Sequence, residues 1–140
     1  MAYSLWSLLG FTVWTLLVVL LGIGLPRIRA VVVDKARPNS FQPAVPHGSE
    51  RYQRTMRAHM NCVENLPVFA ALVLLGAVVE LESALFQAAA LTVLPARVLQ
   101  SVTHIASGRN RAVLLRFAFF SVQFACFLTM AALLALHGLG

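Results

Sequence analysis

The feature that most constrains this chain is a run of 22 residues, Ser4 to Leu25, without a charged side chain. At about 1.5 Å per residue, a helix of this length spans about 33 Å, enough to cross a hydrocarbon core of about 30 Å. Three further apolar runs, at about 58–79, 83–106 and 112–136, carry few charges. Because each run is long enough to cross the bilayer as a helix, we predict an all-α, integral membrane four-helix bundle.

The composition excludes several classes of protein. Apolar residues make up 59% of the chain and charged residues 11%, whereas soluble globular chains average about 45–50% and about 25%. This excludes an ordinary soluble enzyme and a disordered regulator. Cys62 and Cys126 both lie inside apolar runs, so a disulfide scaffold is excluded too, and we interpret them as small apolar residues. We predict that residues 1–140 form a single transmembrane domain.

The basic residues lie between the runs and predict the orientation. The net charge is +6, but it forms no continuous basic surface, so we expect no nucleic-acid partner. Lysine and arginine cluster before the second run and before the fourth, whereas the link between the second and third runs carries Glu80 and Glu82. By the positive-inside rule, both basic loops are cytoplasmic and both termini lie on the other side.

The first connection is the longest. We predict an ordered cytoplasmic loop over residues 34–57, because this polar stretch contains several helix-breaking residues: Pro38, Pro43, Pro46 and Gly48. The apolar character resumes at residues 30–33 after Pro26. The first helix is therefore expected to continue past this proline, with a kink there.

Three of the runs each carry a polar stripe when placed on a helix at about 100° per residue. Charged groups in a bilayer core are costly and usually face protein or water. The stripes are Arg57, Asn61 and Glu64 on the second run, flanked by Arg54 and Asn65; Arg97, Gln100, Ser101 and His104 on the third; and Arg116 and Gln123 on the fourth.

The stripes allow two interpretations. Glu64 could pair with Arg97 or Arg57 and hold the bundle together. Alternatively, the surplus of arginines around one intramembrane carboxylate forms a pocket for a small anion, since the guanidinium group suits carboxylates. We favour the pocket. No metal site is predicted, because no two His, Cys or acidic residues have ligand spacing on one face.

One motif points to a family. The stretch from Arg54 to Phe69 reads R-x-x-R-A-H-x-N-x-x-E-x-x-P-x-F, which resembles the second-helix signature of the MAPEG superfamily, the membrane-associated proteins in eicosanoid and glutathione metabolism. The four spans and the basic first loop agree with that family. The resemblance implies a homotrimer of four-helix subunits that binds glutathione between neighbours near the cytoplasmic face.

The resemblance also implies roles for individual residues. Arg57, Asn61 and Glu64 match glutathione-binding positions, with Glu64 for the amino group and Arg57 for a carboxylate. Arg37, or alternatively Arg29, matches the basic residue at the end of the first helix. Arg116 resembles the arginine that steadies the glutathione thiolate and is the predicted catalytic residue.

The third run supplies further predicted glutathione contacts. Arg97 fits the family's arginine there, and Gln100 and His104 stand about where enzymatic members commonly place tyrosine. Met60 replaces the arginine of the prostaglandin-synthase branch, which argues against prostaglandin chemistry. Asn65 and Leu66 also lack the aromatic side chain seen in leukotriene synthases.

Two functions follow from the resemblance. The first is a glutathione transferase or peroxidase that acts on lipophilic electrophiles arriving through the bilayer, with glutathione as co-substrate and no metal. The second is a non-catalytic membrane protein that binds lipid or glutathione, or serves as a scaffold, which the missing tyrosines permit. We favour the enzyme because the signature is complete.

Overall fold

The computed structural model describes residues 2–41 and 47–138. Within them the regular elements are all helical: α1 (Tyr3–Val19), a π-helical segment (Leu20–Gly24), α2 (Leu25–Val32), a 3-10 turn (Pro38–Ser40), α3 (Glu50–Val78), α4 (Ala84–Ala106) and α5 (Asn110–Gly138). Four stretches are long and apolar enough to cross a membrane, namely Tyr3–Val32, α3, α4 and α5. The prediction of an all-helical membrane protein with four spans is confirmed. The homotrimer stays a prediction.

The first span is irregular just before Pro26, and the predicted kink at this proline stays a prediction. The helix continues past this proline to Val32, as predicted, but a π-helical segment precedes it. In this segment the backbone N–H of Leu25 donates to the carbonyl of Leu20, one residue further back than in an α-helix. Proline lacks an N–H and crowds the preceding turn, and the wider π turn accommodates this.

The predicted loop over residues 34–57 is wrong in its second half, because α3 already begins at Glu50. Ser49 caps this helix, and its Oγ accepts a hydrogen bond from the backbone N–H of Tyr52 at 3.2 Å. The first turns of α3 are polar and extend the helix beyond the apolar run, so a search for apolar residues missed them. Pro43 and Pro46 lie outside the described residues.

Helix α4 lies at the centre of the bundle and contacts α1, α3 and α5. Aromatic side chains from all of these elements fill the core; for example, the ring centroids of Phe11 and Phe69 are 5.7 Å apart. Small residues allow close packing: a Cβ on Gly76 would lie 2.6 Å from the ring of Phe86 on α4. Ser7 of α1 also donates a 2.6 Å hydrogen bond to the carbonyl of Ala90. Such small and polar contacts hold membrane helices together.

Candidate functional site

A polar cavity of about 300 Å³ lies between α3, α4 and α5. We call it the polar cavity. It is lined by Asn61, Glu64, Asn65, Gln100, His104, Val113, Arg116, Phe117 and Phe120. Part of each stripe predicted on the three runs therefore faces one common space.

Helical periodicity places these side chains. Residues three or four apart lie on one face, so α3 directs Asn61 and Glu64 to the cavity, and α4 directs Gln100 and His104 there. Gln100 and His104 are buried, with 6% and 8% of their surfaces exposed. Arg116 of α5 is half-buried, and Glu64 is exposed in the single chain. The inner wall is thus neutral and polar, and the two charged groups stand nearer the surface.

Amide hydrogen bonds hold the polar wall in place. Gln123, fully buried on α5, donates from Nε2 to Oε1 of Gln100 at 3.0 Å. The same amide donates to the backbone carbonyl of Phe119 at 3.0 Å. Asn65 donates from Nδ2 to the carbonyl of Asn61 at 2.8 Å. The stripe of Arg116 and Gln123 does face the interior, with the arginine in the cavity and the glutamine behind it.

Arg97 lies apart from the polar cavity. Its side chain is fully buried in the core, and its guanidinium carbon stands 5.3 Å from the ring centroid of Phe11 on α1. The three guanidinium nitrogens are buried without a hydrogen-bond partner among the described residues. Its predicted contact with glutathione therefore has no support from the cavity lining and stays a prediction.

The other predicted arginines also lie outside the cavity lining. Arg57 is exposed, one turn before Asn61 on α3. Arg37 is exposed and precedes the 3-10 turn, where its carbonyl accepts a 2.7 Å hydrogen bond from Ser40 Oγ. Arg54 donates from Nε to the carbonyl of Ile105 at 3.2 Å and so ties α3 to the end of α4. In the single chain, the structure does not bring Arg57 and Arg37 together with Glu64.

The sequence interpretation missed the apolar side of the cavity, formed by Val113, Phe117 and Phe120 of α5. Their spacing carried a usable signal, because Val113 and Phe120 lie three residues before and four after Arg116 and share its face. A cavity with charged, amide and aromatic sides can hold a molecule that is itself both polar and apolar.

The comparisons identify the family. A profile described as the MAPEG family matches residues 4–136. The chain belongs to the MAPEG family. As a MAPEG protein it is an integral, multi-pass membrane protein of a family in glutathione and eicosanoid metabolism. The matched range contains every residue that lines the polar cavity. A comparison with curated proteins finds no significant match.

Proposed function

We propose that this MAPEG protein is a glutathione transferase or peroxidase that uses a glutathione thiolate against lipophilic electrophiles. One observation carries the proposal: Arg116 of α5 and Glu64 of α3 line the same cavity, together with four neutral polar side chains. Glutathione has an amino group, two carboxylates and a thiol, so it needs both signs of charge in its site. A cavity with one carboxylate, one guanidinium and several amide groups offers both.

Five of the six polar side chains in the lining have a defined task in this proposal. Glu64 binds the ammonium group of glutathione, and Asn61, Gln100 and His104 hydrogen-bond its peptide and carboxylate groups. Arg116 stabilises the sulfur in its ionised form. A thiol with a pKa of about 8.5 is only about 3% ionised at pH 7. Lowering that pKa by about two units converts most of the thiol to thiolate and requires about 2.7 kcal/mol of preferential stabilisation of the thiolate. A charge-assisted contact with a guanidinium group in a partly dry site can supply this energy.

The apolar side of the cavity accounts for the second substrate. Phe117 lines the cavity and is 68% exposed, so one wall of the site is continuous with the lipid-facing surface of α5. A lipophilic electrophile dissolved in the bilayer can reach the sulfur across this wall. With an aryl or alkyl halide, the thiolate sulfur forms a bond to the electrophilic carbon and the halide leaves with the electron pair of the broken carbon–halogen bond. With a hydroperoxide, the sulfur attacks the terminal oxygen and the O–O bond breaks, which gives an alcohol and a glutathione sulfenic acid. A second glutathione thiol then attacks that sulfur, so that glutathione disulfide forms and water leaves.

The exposure of Glu64 supports a homotrimer. A carboxylate on a membrane-spanning helix is costly when it faces lipid, yet Glu64 is exposed in the single chain. Arg57, seven residues earlier on the same face, is exposed as well. A neighbouring subunit packed on this face would cover both and bring Arg57 to the ligand. In this assembly the basic loops and the glutathione site are cytoplasmic, and both termini lie on the opposite side.

Calorimetric titration of the detergent-solubilised protein with glutathione tests binding, and a conjugation assay with an electrophilic aryl halide tests catalysis. Binding with turnover supports the enzyme. Binding without turnover of either an aryl halide or a lipid hydroperoxide supports the non-catalytic alternative. Absence of glutathione binding contradicts the enzyme and leaves only a lipid-binding or scaffold protein.

A further inference from the structure

A second cavity, of about 450 Å³, lies on another side of the bundle. We call it the groove. It is formed by the first span and the first turns of α3, is closed by Ile105 near the end of α4, and shares no lining residue with the polar cavity. Its lining residues are Trp14, Leu17, Val18, Leu21, Gly22, Pro26, Ser49, Arg51, Tyr52, Thr55 and Ile105. Its volume is in the range of small-ligand sites, about 300–1,000 Å³.

The groove is elongated and apolar along the first span. Its lining runs from Trp14 to Pro26, and the 12 residue-to-residue steps between them correspond to about 18 Å of helix. Leu17, Val18 and Leu21 supply the apolar wall between these ends. Because this wall belongs to a membrane-spanning helix, the groove runs in the direction that a lipid acyl chain takes in a bilayer.

A local irregularity shapes the groove. The π-helical segment Leu20–Gly24 contributes Leu21 and Gly22 to the lining. A Cβ on Gly22 would collide with the Cγ2 atom of Thr55, so α3 packs directly against the backbone at this point. Single π turns within helices occur frequently at functional sites, and this one sets the groove beside the amino-terminal turns of α3.

The end of the groove at α3 carries hydrogen-bond donors and a positive charge. The hydroxyl of Tyr52 accepts a 2.6 Å hydrogen bond from Arg27 Nε, so the hydroxyl proton is not used in that bond. Arg51 is exposed, and its guanidinium makes no ion pair within the described residues. The nearby Glu50 pairs instead with Arg54, at 3.4 Å. Ser49, Arg51 and Tyr52 therefore line this end of the groove, and the guanidinium of Arg27 lies next to it through its bond to the Tyr52 hydroxyl.

We propose that the groove binds an anionic membrane phospholipid. One acyl chain lies along Leu17, Val18 and Leu21, and the headgroup phosphate is held by Arg51, Tyr52 and Ser49. A phosphate accepts several charge-assisted hydrogen bonds at once, and a lipid with net negative charge is favoured next to Arg27 and Arg51. This site is independent of glutathione binding.

Trp14 lines the groove and provides the test, since the chain contains only two tryptophans. In a Trp6→Phe background, the full-length protein is placed in phosphatidylcholine nanodiscs containing a small fraction of a lipid with a brominated acyl chain. Bromine quenches indole fluorescence on contact. The brominated molecule is phosphatidylglycerol in one series, phosphatidylcholine in a second and free stearate in a third.

We expect phosphatidylglycerol to quench Trp14 at a lower mole fraction than either other molecule. Arg51→Gln should reduce this preference about fivefold, the contribution of one basic residue at an anionic membrane surface. Arg109→Gln is the matched control, because Arg109 is an exposed arginine outside the groove, and it should keep the preference. Equal quenching by the two phospholipids, stronger quenching by stearate, or equal losses in both variants would overturn the proposal.

Discussion

Gln123 of α5 donates a 3.0 Å hydrogen bond to Gln100 of α4, and both side chains are buried. Gln100 lines the polar cavity, whereas Gln123 stands behind it. The bond therefore fixes a cavity wall from outside the cavity. It also joins α4 to α5 between two buried side chains, where a hydrogen bond is electrostatically stronger than in water.

Gln123→Met should lower the stability of the bundle without removing a side chain from the cavity. Hydrogen bonds between membrane helices contribute about 0.6–1.7 kcal/mol, and we expect a loss of that size in reversible unfolding in mixed micelles. Ser121→Ala, on the exposed side of α5 two residues earlier, is the control and should change little. Equal stability of Gln123→Met and the unmodified protein would mean that the pair contributes nothing.

Glu64→Gln tests whether the carboxylate binds ligand or holds the bundle together. The change keeps the shape and removes the charge, so glutathione affinity measured by calorimetry should fall by about 1.5–3 kcal/mol, the scale of a charged hydrogen bond. The assembly should persist. Glu50→Gln, at the exposed start of α3, is the control and should keep the affinity. Dissociation of the Glu64→Gln assembly would assign Glu64 to structure instead.

Arg97→Met tests the cost of the buried guanidinium. Three buried nitrogens lack partners among the described residues, and unpartnered buried charge is unfavourable. In ligand-free protein we therefore expect an unfolding midpoint that is unchanged or raised. Arg54→Met, which removes hydrogen bonds to Ile105 and Glu50, should lower it.

A clear fall in the midpoint of Arg97→Met would show that the contact with Phe11 outweighs the cost of burial. The same variant tests the predicted ligand role of Arg97. If the guanidinium contacts the ligand in the assembled protein, the rise in unfolding midpoint that glutathione causes should be lost in Arg97→Met. An undiminished rise in the variant would assign Arg97 to the core alone.

Much of the polar cavity could be predicted because helical periodicity is a local property. Asn61 with Glu64, Gln100 with His104, and Arg116 with Gln123 each repeat at helical spacing, and the expense of polar groups in lipid requires that such stripes face inwards. The number of spans followed from the lengths of the apolar runs in the same way.

The features that depend on neighbouring helices could not be predicted. Arg97 lies on the stripe of Gln100 and His104, but α4 is surrounded by α1, α3 and α5, so periodicity alone could not tell which neighbour it contacts. The early start of α3 at Glu50 was missed for another reason. Its first turns are polar and stabilised by the Ser49 cap, and a criterion based on apolar residues does not detect them.

The oligomeric state is testable in native membranes. The exposed face of Arg57 and Glu64 needs a protein partner in the membrane. We therefore expect cysteines introduced at Met60 and Val63, on the same exposed region of α3, to cross-link neighbouring subunits and to give species up to the trimer. A cysteine introduced at Leu136, near the carboxyl-terminal end of α5, is the control for cross-links that form by random collision. Monomers alone at the α3 positions would contradict the trimer.

In the proposed function, Arg116 stabilises the thiolate of bound glutathione. Arg116→Ala should mainly reduce turnover and leave affinity nearly intact, since the contact is strongest with ionised sulfur. Arg116→Lys should rescue only part of the rate, because a point charge replaces a planar fork. Arg111→Ala, on the same helix but outside the cavity lining, should behave like the unmodified protein.

The most direct measurement is the pH titration of thiolate ultraviolet absorbance in the glutathione complex of the unmodified protein, Arg116→Ala and Arg111→Ala. We expect the unmodified complex and Arg111→Ala to ionise about two pH units below free glutathione, with a difference of about 2.7 kcal/mol. Arg116→Ala should ionise close to the free thiol. An unchanged titration in Arg116→Ala, together with unchanged conjugation activity, would contradict thiolate stabilisation by Arg116.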